Sequence, residues 1–149
     1  MNLQRKAFLT FFVSLAGVQT ALAADAGNVI FATGSVTAER EPPVALAKGD
    51  AVLEQDTIAT GPASRAQLLM LDGAKIAVRP GSRLVIEEYA YEEPAAASVT
   101  TRDDKSVMNL VKGGFRTITG AIGKDDPSAY EVRTPVGVLG IRGTDYSAV

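Results

Sequence analysis

The residues with chemistry to offer are acids, arginines and tyrosines. Acids stand in adjacent pairs at Glu87-Glu88, Glu92-Glu93, Asp103-Asp104 and Asp125-Asp126. Two carboxylates roughly 5–10 Å apart across a cleft would suit acid-base hydrolysis. Neighbours in a strand point to opposite faces, so no adjacent pair builds such a site by itself. Calcium would need oxygen ligands at a regular loop spacing that these clusters lack. The chain contains no histidine and no cysteine. That removes the Ser-His-Asp arrangement, cysteine nucleophiles and thiolate zinc sites. The expectation is a protein that is not an enzyme, with no cofactor and no metal.

Arg142 sits in an apolar run between Ile141 and Gly143. Its planar fork needs a carboxylate or several carbonyls, and Asp72, Asp50 and Asp56 are the candidate partners. An internal ion pair is the first reading, and direct ligand contact the second. Arg116 raises the same question, with a solvated strand position as the simpler answer. Gly137, Gly140 and Gly143 fall at every third residue, which suggests a kinked strand or a close backbone approach. A phosphate cradle would need a lysine and a helix after the glycines. Tyr89, Tyr91, Tyr130 and Tyr146 would either fill core and rim or line a groove.

The elements that must position these residues are short. Turn signals at Gly34, Gly49-Asp50, Gly61-Pro62, Asp72-Gly73, Pro80-Gly81, Gly113-Gly114, Gly123 and Pro135 separate runs of Val, Ile, Leu, Thr and Tyr. That rhythm predicts an all-β fold, a single domain of short strands in a two-sheet β-roll or sandwich with little helix. The clearest hairpin spans Ala66 to Arg79. Asp72-Gly73 makes its turn, because glycine supplies the positive φ a tight turn needs. Its outgoing strand is apolar on both faces and is expected to be central. Val29 to Ala38 reads as a strand bent at Gly34, and Arg83 to Tyr91 as one with Leu84 and Ile86 inward. Val107–Lys112 and Phe115–Thr119 read as a second hairpin around Gly113-Gly114. Tyr130–Thr134 alternates, with Tyr130, Val132 and Thr134 on one face. Val136–Ile141 is more apolar and is expected to be buried. Thr134 before Pro135 is held extended, and Glu92–Ser106 reads as a solvated loop. A Ser-Arg pair precedes an apolar strand twice, at Ser64-Arg65 and Ser82-Arg83, as stacked coils of a short solenoid would require.

The first 23 residues have the parts of a secretory signal peptide. Arg5 and Lys6 precede an apolar run from Ala7 to Gly17, and Ala21-Leu22-Ala23 offers a cleavage site before Ala24. The run is too short for a comfortable membrane span, which takes about 20 residues. An uncleaved anchor is the alternative. Residues 24–149 then form the domain, and no later segment is apolar enough to span a membrane. This part carries 13 basic and 17 acidic residues, a net charge of −4. That balance gives no electrostatic footprint for nucleic acid. Without cysteine, the domain must hold itself together by burial and strand pairing.

An ordered set of landmarks resembles the FecR domain. The matching pieces are Gly34-Ser35-Val36, Lys48-Gly49-Asp50, Asp56-Thr57-Ile58-Ala59-Thr60-Gly61, Ser64-Arg65-Ala66-Gln67-Leu68 and Leu71-Asp72-Gly73. Ile76, Pro80-Gly81-Ser82-Arg83-Leu84, Tyr89 and Leu110–Arg116 follow, then Thr134-Pro135 and Gly140-Ile141-Arg142-Gly143-Thr144. The resemblance runs from about Gly27 to Val149. It implies a non-catalytic sensing or binding domain in the periplasm, working through an unidentified envelope protein or polymer. A structural or adhesion module of a surface assembly is the alternative. Family members that are inner-membrane regulators relay transporter occupancy to a cytoplasmic sigma factor. A signal peptide in place of a cytoplasmic segment argues against that relay here. The residues expected to matter are Asp72, Gly73, Arg116, Thr134, Pro135, Gly140, Arg142 and Gly143. Thr144–Val149 reads as a strand in progress, so the chain is expected to be truncated after Val149 or to end there in an exposed edge.

Overall fold

Alternation of small or branched apolar residues with polar ones, broken every few residues by a turn, leaves the chain little choice but short strands. The computed structural model describes residues 23–93, 103–140 and 145–149. In chain order its strands are β1 (Asp25–Thr33), β2 (Val36–Ala38), β3 (Val44–Ala45), β4 (Ala51–Leu53) and β5 (Thr57–Thr60). Next come β6 (Arg65–Met70), β7 (Lys75–Val78), β8 (Arg83–Ala90), β9 (Lys105–Lys112) and β10 (Phe115–Ile118). A single-turn helix α1 (Ala121–Asp125) and a 3-10 turn lead to β11 (Tyr130–Thr134), β12 (Gly137–Gly140) and β13 (Asp145–Ala148). The expected signal peptide lies almost wholly outside the described residues.

The strands form two sheets, as an all-β reading requires. Sheet A has the order β13-β10-β7-β6-β1-β4, and sheet B the order β12-β11-β9-β8-β5-β2-β3. Inward faces of both supply one core. Val29, Leu68, Ile76 and Phe115 come from sheet A, and Ile58, Leu84, Met108 and Val132 from sheet B, all essentially solvent-free. The Asp72-Gly73 hairpin forms as expected, with Ala66 opposite Val78 and Leu69 opposite Lys75, and β6 lies in the middle of its sheet. Gly73 takes φ +82. Upstream strands are integral: β1 pairs with both β4 and β6, and β2 with β5.

The repeated Ser-Arg pair has a common structural job. The chain crosses from sheet A to sheet B at Gly34-Ser35, and from sheet B to sheet A at Gly113-Gly114. Each crossing is plugged by the buried serine of one of these pairs. Ser64 Oγ accepts from the Ser35 amide (2.8 Å) and Ser82 Oγ from the Gly114 amide (2.9 Å). Gly34 (φ +74) and Gly113 (φ +80) lie against these hydroxyls so closely that a Cβ on either would overlap the serine. Glycine is required there twice over, by conformation and by contact.

Three expectations are corrected. β9 and β10 do not form a hairpin, because the two glycines send them into different sheets, and β9 instead pairs with β8 and, in parallel, with β11. Val136 and Val138 are 96% and 63% exposed. The described part of the run is not buried because, among the described residues, β12 is the outermost strand of sheet B and pairs only with β11. Gly137 and Gly140 mark no close approach either, since a Cβ on either would meet nothing within 4 Å.

Candidate binding groove

The outward face of sheet A carries a groove of about 940 Å³. Period-two alternation places its residues. In β6, Ala66, Leu68 and Met70 point into the core while Arg65 and Gln67 point out. In β7, Ile76 and Val78 point in and Lys75 and Ala77 out. In β10, Phe115 and Thr117 point in and Arg116 and Ile118 out. β1 would by strict alternation bury Phe31. A register shift between Val29 and Phe31 sets Phe31 opposite Gln67 instead, and its ring is 46% exposed. A bulge re-aims a side chain in this way.

Cross-strand registers arrange these residues in rows. One row runs Ser147, Arg116, Ala77, Gln67, Phe31. The next holds Thr33 opposite Arg65, and Arg79, one residue beyond the Ala66–Val78 pair, lines the same groove. Ala77, the smallest residue in the middle of the first row, leaves the depression that the longer side chains wall. A second hollow of about 290 Å³ shares Gln67, Ala77 and Arg116 and continues toward Lys75 and Ile118.

The groove is cationic. Arg116 pairs with Asp145 through Nε (2.9 Å) and its second nitrogen. That hydrogen bond holds the Asp145 carboxyl below the usual carboxylate range and raises the guanidinium. Among the described residues, Arg65, Arg79 and Lys75 have no carboxylate within ion-pair distance. Such a face can hold an anion in guanidinium forks. No three His, Cys, Asp or Glu side chains among the described residues converge on a metal position.

The residues singled out from sequence scatter. Among the described residues, Arg116 is the one of these that borders the groove. Asp72 is buried and tied inward: its amide donates to the Tyr89 hydroxyl (2.9 Å), which donates back to Asp72 Oδ1 (3.0 Å). Ala74 and Ile122 amides donate to the same carboxylate at 3.2 and 3.3 Å. Desolvation raises the Tyr89 phenol above its ordinary value. Thr134 closes the β11–β12 hairpin, its hydroxyl donating to Gly137 O (2.9 Å), and Pro135 lies in that turn. Gly140 ends β12 in open space. Arg142 and Gly143 lie outside the described residues. Of Arg142's candidate partners, Asp56 is taken by Arg40, whose Nε and second nitrogen donate at 2.7 and 2.5 Å. Asp50 accepts the Ala47 amide.

The tyrosines are mostly structural. Tyr130 in β11 and Tyr146 in β13 join the two sheets, with Tyr146 Oη donating to Tyr130 Oη (2.8 Å). Their rings meet edge-to-face, as do those of Tyr146 and Phe115. Burial pushes the Tyr130 phenol up to about 12 and raises that of Tyr146 further. Sequence reasoning missed Arg40, Arg65, Arg79 and Phe31. Alternation of Arg65 and Gln67 with Ala66 and Leu68 carried a signal for the second of these, and none marked the bulge.

No helix among the described residues is long and apolar enough to cross a membrane. No curated protein and no solved structure matches the chain. Residues 56–149 match the family described as FecR protein, a family associated with sensing and regulation at the cell envelope. The match starts later than the resemblance read from sequence, although β1, β2 and β4 are woven into the same two sheets. With well over half of its length matched, the chain belongs to the FecR family.

Proposed function

We propose that this FecR-family protein is an exported, non-catalytic binding or sensing module that acts in the periplasm by binding a protein or another envelope ligand. The groove on sheet A carries the reading: it sets Arg65 and Arg79, without a carboxylate partner among the described residues, beside the exposed Phe31 in one depression. The signal-peptide pattern of residues 1–23 and the absence of histidine and cysteine support export and a role without chemistry. Expression of the full chain in a Gram-negative host, followed by fractionation and N-terminal sequencing, tests the location. The expected result is a periplasmic protein starting at Ala24, and a cytoplasmic, uncleaved product overturns it. Crosslinking in intact cells tests the binding role, with a discrete adduct expected.

A structural role in a surface assembly is the second reading. It is favoured by β12, an edge strand that leaves Val136, Val138 and Leu139 exposed. Unpaired apolar edges invite pairing with another chain. Val138→Lys would then abolish assembly while leaving any groove-dependent adduct intact.

A further inference from the structure

We infer that the groove binds an acidic segment of a partner protein, its carboxylates held between Arg65 and Arg79 and an apolar side chain set against Phe31. This rests on the binding-module reading above and specifies the chemistry of its ligand. Three observations carry it.

The first is the pair of arginines. Arg65 and Arg79 flank the Ala66–Val78 pair and line the same groove, and like charges brought close across strands oppose each other. No carboxylate among the described residues neutralises them. An anion seated between them would relieve the repulsion and fill both forks. Arg116, in the neighbouring row, is already engaged by Asp145, which leaves Arg65 and Arg79 as the free guanidinium groups of the groove.

The second is the mixture of cation and apolar surface. Phe31, Ala77 and Pro80 lie in the same groove as the two arginines. A peptide supplies carboxylates and apolar side chains from one backbone. An acidic glycan supplies charge but no large apolar group, and it would call for aromatic plates. Among the described residues, Phe31 is the one aromatic lining this groove.

The third is charge complementarity and size. The domain is acidic overall, yet this face concentrates Arg65, Lys75, Arg79 and Arg116 against the single carboxylate of Asp145. Its volume lies toward the top of the roughly 300–1,000 Å³ span of ligand sites. Such a face attracts acidic partners and repels basic ones before contact.

The test uses the full chain and a short fluorescein-labelled peptide of aspartate, glutamate and leucine. A lysine-for-acid version and an oligogalacturonate serve as comparison ligands. The acidic peptide should bind, and its addition should shift the backbone resonances of Gln67, Ala77 and Arg79. Arg65→Glu with Arg79→Glu should weaken it about a hundredfold, roughly tenfold per guanidinium. Lys48→Glu with Lys124→Glu changes net charge equally on exposed positions outside the groove and should leave affinity within about twofold. An equal loss in that control, tighter binding of the oligogalacturonate, or no binding by the unmodified protein overturns the inference. The envelope adduct separates this inference from the reading beneath it. An adduct lost in the groove variant supports both, and one retained there overturns the acidic-segment inference alone. If the unmodified protein gives no adduct, the binding-module reading fails first and takes the inference with it.

Discussion

The outer faces of the two sheets rest on the same core yet treat charge differently. On sheet B, Arg83 pairs with Glu39, Lys105 with Glu88, and Arg133 bridges Glu87 and Glu131 at 2.6 Å each. Asn109 adds a hydrogen bond to Glu87 (2.9 Å). Sheet A has four cations around its depression and one paired carboxylate. A face whose charges satisfy each other presents a neutral surface to its surroundings. One whose charges repel stores a preference for a counter-ion. Folding is indifferent to the choice, because both inward faces are dry and exposed ion pairs contribute little to stability.

The largest effect should come from breaking what the two faces share. Gly113→Ala forces a side chain into a left-handed backbone and onto Ser82, at the crossing between sheets. It should destabilise the fold by about 2–3 kcal/mol, measured by urea denaturation. Both faces should be lost together in one transition. A transition that splits in two would show that the sheets are less coupled than the single core implies.

The inter-sheet tyrosine tie comes next. Tyr146→Phe removes the donor to Tyr130 and should cost about 1 kcal/mol. The same tie predicts an alkaline limit. The unfolded chain releases the Tyr130 proton near pH 10, whereas the folded protein keeps it to about 12. The folded state therefore binds more protons across that interval, and stability must fall as pH rises through it. Denaturation followed at a series of pH values should show full stability below pH 10 and a decline above. A flat profile would mean that the phenol is not buried in solution.

Smaller effects distinguish the faces directly. Arg133→Ala on sheet B should lower Tm by roughly 1–2 °C, and it should leave binding of an acidic peptide unchanged. Arg65→Gln on sheet A should do the opposite. By removing a like-charge pair it should raise stability by about 0.2–0.5 kcal/mol, while weakening the peptide about tenfold. A residue that lowers stability while supporting binding is the signature of a functional face. Destabilisation by Arg65→Gln would instead make Arg65 a structural residue.

Local chemistry was legible from the sequence wherever one residue and its neighbours decide the outcome. The Asp72-Gly73 turn, the central place of β6, and the buried Tyr130 and Val132 follow from turn preference and alternation. So did the Ser-Arg repeat, though its meaning as two matching plugs at sheet crossings needed the fold. Gly113-Gly114 shows the limit. Two glycines between strands are compatible with a hairpin or with a change of sheet, and only the contact with Ser82 selects the second. β12 shows another, since an apolar run reads as buried until its position at a sheet edge is known.

The composition, turn spacing and strand periodicity determined an all-β protein, because these depend on backbone preferences repeated along the chain. Only the tertiary structure decided which polar residues meet. Asp56 took Arg40 and Asp72 took Tyr89, residues 16 and 17 positions away. A bulge in β1 turned Phe31 outward beside Arg65 and Arg79 of the β6–β7 hairpin. The groove needs the β1–β6 and β7–β10 registers beside the local β6–β7 hairpin, and registers between strands distant in sequence are specified by which face is buried.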